Sequence, residues 1–124
     1  MRRILGNMYS VPANMLTGID WDYWEVRARC GLECKDFPQQ VHQEGYFAYK
    51  AIMADSCGKI KRIMIPDEYK KYIYDQFLIH EVGDIITDNK KEPVGFLFMM
   101  FADAKQMKKV LIDEYRCDLV EMEA

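Results

Sequence analysis

Gly95-Phe96-Leu97-Phe98-Met99-Met100-Phe101, then Asp103-Ala104-Lys105-Gln106-Met107-Lys108-Lys109-Val110-Leu111-Ile112-Asp113-Glu114-Tyr115, then Cys117-Asp118-Leu119-Val120-Glu121-Met122, is the stretch that decides the fold. Its first run is short, aromatic and uncharged, which suits a strand covered on both faces. Asp103 is a helix N-cap. Behind it Ala104, Met107, Val110, Leu111 and Glu114 form one stripe, while Lys105, Lys108, Lys109 and Asp113 stay in water. The last run alternates, with Cys117, Leu119 and Glu121 opposite Asp118, Val120 and Met122, as a strand does. Strand, helix and strand this close together predict a right-handed crossover with the helix on one sheet face.

Upstream, Lys59 to Ile65 has β-branched, alternating strand character and Pro66 closes it. Pro66-Asp67-Glu68 opens a helix expected to run to Asp75, with Tyr69, Tyr72 and Ile73 at helical spacing. Residues 77–87 read as a strand bulged at Gly83, and the polar turn 88–93 folds it back as a hairpin onto residues 95–101. The dense apolar positions Tyr46, Phe47, Tyr49, Ala51, Ile52, Met53 and Ala54 predict a mostly buried helix over 43–56, with Gly58 as its stop.

In the first third, residues 3–10 are expected to form a strand with a bend at Gly6-Asn7. Asn14 is expected to cap a short turn, Met15-Leu16-Thr17, before Gly18. Residues 20–30 alternate, with Trp24, Val26, Ala28 and Cys30 opposite Tyr23, Glu25, Arg27 and Arg29, which predicts a half-buried strand. Residues 31–40 are a loop. The fold class that follows is α+β: one layer of mixed or mostly antiparallel sheet, five to six strands, with two to three helices packed on it, as in a ferredoxin-like arrangement. All 124 residues form one expected domain, large enough to bury roughly two-thirds of its unfolded surface without a metal or disulfide scaffold.

A net charge of −3 argues against an extended nucleic-acid footprint, which needs many basic groups on one face. No segment reaches the roughly 20 apolar residues of a membrane span, and Gly6-Asn7 ends the N-terminal apolar run too early for a secretory signal. A cytoplasmic protein with reduced cysteines is expected. Cys30, Cys34, His42 and Cys57 supply enough soft ligands for a zinc ion, but only Cys30 and Cys34 form a close pair, so no metal and no cofactor is assigned. His42-Gln43-Glu44 matches half of the zinc nucleobase-deaminase signature without its Pro-Cys-x-x-Cys partner. Nucleotide-binding glycine fingerprints and the Gly-x-Ser-x-Gly elbow are absent. No catalytic residue is assigned.

Two groups of residues remain. Trp21, Tyr23, Trp24, Arg27 and Arg29 combine aromatic rings with guanidinium groups, the chemistry of interface hot spots and of base stacking with phosphate clamping. The loop carrying Asn7, Ser10 and Asn14 offers amides and a hydroxyl to an anion. Asn7-Met8-Tyr9-Ser10 followed by Asn14-Met15-Leu16 resembles the Asn-Ala-Phe-Ser-x-Asn-Met-Leu opening of the viral ring nucleases, anti-CRISPR proteins that cleave cyclic tetra-adenylate. The resemblance is confined to residues 7–16, is interrupted at Val11-Pro12-Ala13, and lacks that family's Gly-His and Asn-Arg elements. It implies phosphate contacts from Asn7 and Ser10. The expected function is a non-enzymatic binding protein whose partner is another protein or a small phosphorylated ligand, with a homodimer left open. The alternative is a nucleotide-handling enzyme or cyclic-oligonucleotide sponge of an anti-defence type.

Overall fold

The computed structural model describes residues 10–39, 44–113 and 119–124. It is an α+β fold with four helices and six strands among the described residues. The order is α1 (Ser10–Thr17), α2 (Trp21–Arg29), β1 (Tyr46–Ile52), β2 (Gly58–Ile63), α3 (Asp67–Lys70), β3 (Ile73–Leu78), β4 (Ile85–Ile86), β5 (Gly95–Phe101), α4 (Ala104–Lys108) and β6 (Val120–Met122). A π-helical turn, Lys109–Asp113, extends α4. The strands form two three-stranded antiparallel sheets, β1-β5-β3 and β4-β2-β6, rather than the single layer expected. No ferredoxin-like four-stranded sheet occurs among the described residues.

Strand β5 is the centre of the first sheet, and all but Met100 of its seven residues are buried. That is the two-faced strand its uncharged sequence predicts. Its register with β1 is unbroken from Tyr46 opposite Phe101 to Ile52 opposite Gly95. On one face Ile52, Leu97, Met99 and Phe101 join Ile60, Ile86, Val120, Tyr69 and Val110 in the main core, where the two sheets meet α3 and the π turn. On the other, Phe47, Tyr49, Tyr74, Phe96 and Phe98 form an aromatic layer with ring centroids 5.8–6.3 Å apart.

Several local assignments change. β1 is a strand where a helix was expected, because a run apolar on both sides carries no usable period and pairing with β5 decides the matter. α2 is a helix where alternation predicted a strand. Asp20 caps it by accepting from the Tyr23 N–H at 3.1 Å, Glu25 pairs with Arg29 at 2.7 Å, and no strand among the described residues offers it a ladder. α1 covers Ser10–Thr17, so Asn14 lies inside the helix instead of capping it. The expected strand over 3–10 falls almost wholly outside the described residues.

α3 is a single turn, and the β-branched Ile73 begins β3 where the helix was expected to continue. The expected strand over 77–87 is divided: its first part belongs to β3 and its last to β4 in the other sheet. Between them Gly83, at φ +99°, makes a turn closed by the Asp84 N–H on the Glu81 carbonyl at 3.1 Å. β5 and β6 also lie in different sheets, so α4 does not link strands of one sheet. Asp103 does cap α4, accepting from the Gln106 N–H at 2.7 Å. No described helix is long and apolar enough to cross a membrane.

Candidate binding surface

Two short helices and a loop collect the sequence-selected residues. Ser10, buried at the start of α1, donates its hydroxyl to Asp22 Oδ2 at 2.7 Å. Asn14 Oδ1 accepts the Trp21 N–H at 3.0 Å, and the Trp21 indole Nε1–H donates to Thr17 Oγ1 at 2.9 Å. Thr17 in turn donates to the Ala13 carbonyl at 2.7 Å. These bonds lock α2 against α1. Ser10, Asn14 and the polar edge of Trp21 are therefore engaged in holding the helix pair. Asn7 lies outside the described residues.

Within α2 the half-buried positions are Trp21, Trp24 and Arg27, a spacing of three that only a helix turns to one side. The Arg27 guanidinium lies 5.9 Å from the centre of the Trp24 ring, and its Nε–H donates to the Glu33 carbonyl at 2.7 Å. Tyr23 meets the Trp24 ring edge-on at 5.3 Å, and its hydroxyl accepts from Arg27 Nη1 at 3.5 Å. The loop adds Phe37, whose ring centre is 5.6 Å from Trp21 and 5.3 Å from Trp24. Both indoles are thus wedged by one phenyl ring. Tyr23, Val26, Leu32 and Phe37 stay exposed around this cluster.

The helix separates residues that a strand would have aligned. Tyr23 and Arg27 share a face at i,i+4, whereas Arg29 is held on Glu25 by both Nε and Nη2 and does not join the ring cluster. Phe37 and the Glu33 carbonyl were not selected from sequence; an aromatic beside Pro38 in a mostly polar loop was the available signal. Chemically the surface can stack a flat or apolar group on Trp24, Tyr23 or Phe37 and offer the outer N–H groups of Arg27 to a carboxylate or phosphate. It contains no histidine, and its thiols, Cys30 and Cys34, are free and exposed.

Among the described residues no group of three or more His, Cys, Asp or Glu side chains is placed to hold a metal ion. Cys57 belongs elsewhere, donating to the Thr87 carbonyl at 3.2 Å, and His42 lies outside the described residues. A hollow of about 150 Å³ between α3 and the π turn, lined by Glu68, Tyr69, Lys71, Tyr72, Lys109 and Val110, shares no residue with the α2 surface. No protein family, no curated protein and no solved structure matches this chain.

Proposed function

We propose that this chain is a non-enzymatic binding protein that presents α2 and the loop 31–39 to another protein. The observation that carries the reading is Arg27, stacked on Trp24 and tied to the Glu33 carbonyl, with Tyr23 and Phe37 exposed beside it. Rigid aromatic and arginine side chains that lose little entropy on binding are what the energetic centres of interfaces are built from. None of the nine α2 residues is fully buried, so the helix contributes little to the core, and a partner would cover what the fold leaves open. The same reading places the protein in the cytoplasm, where the exposed thiols at Cys30, Cys34 and Cys57 stay reduced.

A phosphorylated small ligand is the less favoured partner. Ser10 and Asn14 are already hydrogen-bonded within the helix pair, and the Asp22 carboxylate on Ser10 repels an anion at that point. The test is affinity purification from the native host with wild type, Trp24→Ala and Arg27→Ala, quantified by mass spectrometry. Proteins retained by wild type and lost with both variants, at unchanged melting temperature, support the reading. An identical retained set with all three proteins overturns it. Thermal stabilisation by mono- or cyclic nucleotides, abolished by Arg27→Ala, would transfer the surface to nucleotide binding, since a ligand of the folded state raises its stability.

A further inference from the structure

The chain from Tyr72 to Asn89 contains no lysine or arginine, while it carries Asp75, Glu81, Asp84 and Asp88. The same stretch exposes Phe77, Leu78, Ile79, Val82 and Ile85. Phe77 and Leu78 are neighbours on β3, so their side chains leave opposite faces of the strand, yet both are exposed. The end of β3, at the rim of its sheet, is uncovered on either side. Val82, 61% exposed, stands in the turn that Glu81 and Asp84 close. That turn is fixed twice more, by the Glu81 N–H on Asp84 Oδ2 at 2.9 Å and by the Gly83 N–H on the Ile60 carbonyl at 2.8 Å. Ile85, 65% exposed, follows on β4, itself a rim strand.

The charges around these apolar side chains are one-sided. Among the described residues no lysine or arginine pairs with Asp75, Glu81 or Asp84; the basic side chain beside Asp84 is His80, at 3.5 Å. Lys59, opposite Ile85 across the strand pair, is engaged with Glu123 at 3.7 Å. Simple strand addition along β3 is also opposed locally, because the Gln76 N–H is already bonded to Asp75 Oδ1 at 2.8 Å. A second copy would bring the same acids against each other. Charge complementarity calls for a cationic partner, and the exposed aliphatic side chains call for an apolar one.

We propose that residues 75–85 form a second docking surface, for a segment of another protein in which apolar side chains are flanked by lysine or arginine. It shares no residue with the α2 surface, so either proposal can fail alone. The probes are two synthetic peptides with the same leucine, valine and isoleucine positions, one interleaved with lysine and one with glutamate. Binding is followed by amide chemical shifts of the full chain.

The expected result is that the lysine peptide shifts resonances of residues 75–85, the glutamate peptide does not, and added salt weakens the complex. Val82→Ser with Ile85→Ser, a charge-neutral change at two exposed positions, should weaken binding about tenfold or more. Glu81→Gln should weaken it and flatten its salt dependence. Equal binding of the glutamate peptide, shifts centred elsewhere, or indifference to the Val82/Ile85 change would overturn the proposal. So would concentration-dependent self-association of the free protein that the Val82/Ile85 change abolishes, which would assign the surface to a second copy.

Discussion

Arg27 places its guanidinium 5.9 Å from the centre of the Trp24 ring while its Nε–H holds the Glu33 carbonyl at 2.7 Å, so one side chain joins helix α2 to the loop that follows it. The stacked contact is worth about 0.5–1 kcal/mol at an exposed site. Replacement by lysine keeps the charge and removes both the planar stack and the directed Nε–H bond. In Arg27→Lys we expect global stability to change by about 1 kcal/mol or less and the loop to loosen. Faster amide exchange at Leu32 and Phe37, and faster cleavage after Lys35, are the readouts. Unchanged protection at both amides would show that Arg27 does not anchor the loop.

The helix that carries this surface depends on its cap. Asp20 accepts the Tyr23 N–H at 3.1 Å, and Asp20→Ala leaves that N–H without its partner. The expected cost is about 1 kcal/mol, read as a lower denaturant midpoint. Asp20→Asn should recover most of it, because the amide oxygen also accepts.

At Gly95 the backbone of β3 leaves no room on β5 for a side chain. A Cβ there would sit 2.6 Å from the Phe77 carbonyl oxygen and 2.8 Å from Leu78 Cδ2. The first of these is backbone and cannot swing away. Gly95→Ala should therefore destabilise the fold by about 1–3 kcal/mol, the range of overpacked cores. A variant with a wild-type melting temperature would mean that β3 moves outward at no cost.

Tyr74 stands between Phe47 and Phe98, each ring 6.2 Å away, and its hydroxyl is buried without a hydrogen-bond partner among the described residues. Burial, and then the neighbouring Asp75 carboxylate, hold its proton above the ordinary tyrosine value of 10.0. Tyr74→Phe keeps the rings and removes the unpaired polar atom. It should raise stability by about 1 kcal/mol. In wild type, a pKa raised on folding leaves stability intact below 10.0 and lowers it as pH climbs from there through the folded value. An ultraviolet titration should show one tyrosine fewer ionising after the substitution, at the alkaline end.

At the other extreme of pH, Glu121 is the group to watch. The hydrogen bond and charge of Lys61 at 2.7 Å, helped by Arg62 at 3.0 Å, hold its carboxyl below the ordinary glutamate value of 4.5. A depressed carboxyl contributes stability above its unfolded value, and the contribution disappears as pH falls from 4.5 through the lowered folded value. The pairs face solvent, so the effect is small and screened by salt. Urea midpoints of Glu121→Gln should decline less between neutral and acid pH than those of wild type. Parallel declines would exclude Glu121 as a source of acid sensitivity.

The sequence by itself determined that the fold is α+β, that β5 is covered on both faces, that Asp103 caps a helix and that Lys59 and its neighbours form a strand. Each rests on a local signal: an uncharged aromatic run, a capping side chain, or an alternation bounded by proline. It also picked out Trp24, Tyr23 and Arg27, by residue type alone. Only the tertiary structure decided that residues 21–29 are helical and 46–52 extended, because each run's apolar pattern fits either period; β5 supplies a partner strand for the second, and among the described residues none pairs with the first. Tertiary structure alone also divided the six strands of the described residues between two sheets and brought Phe37 against both tryptophans. Those contacts join residues distant in sequence, and no local pattern encodes which of them meet.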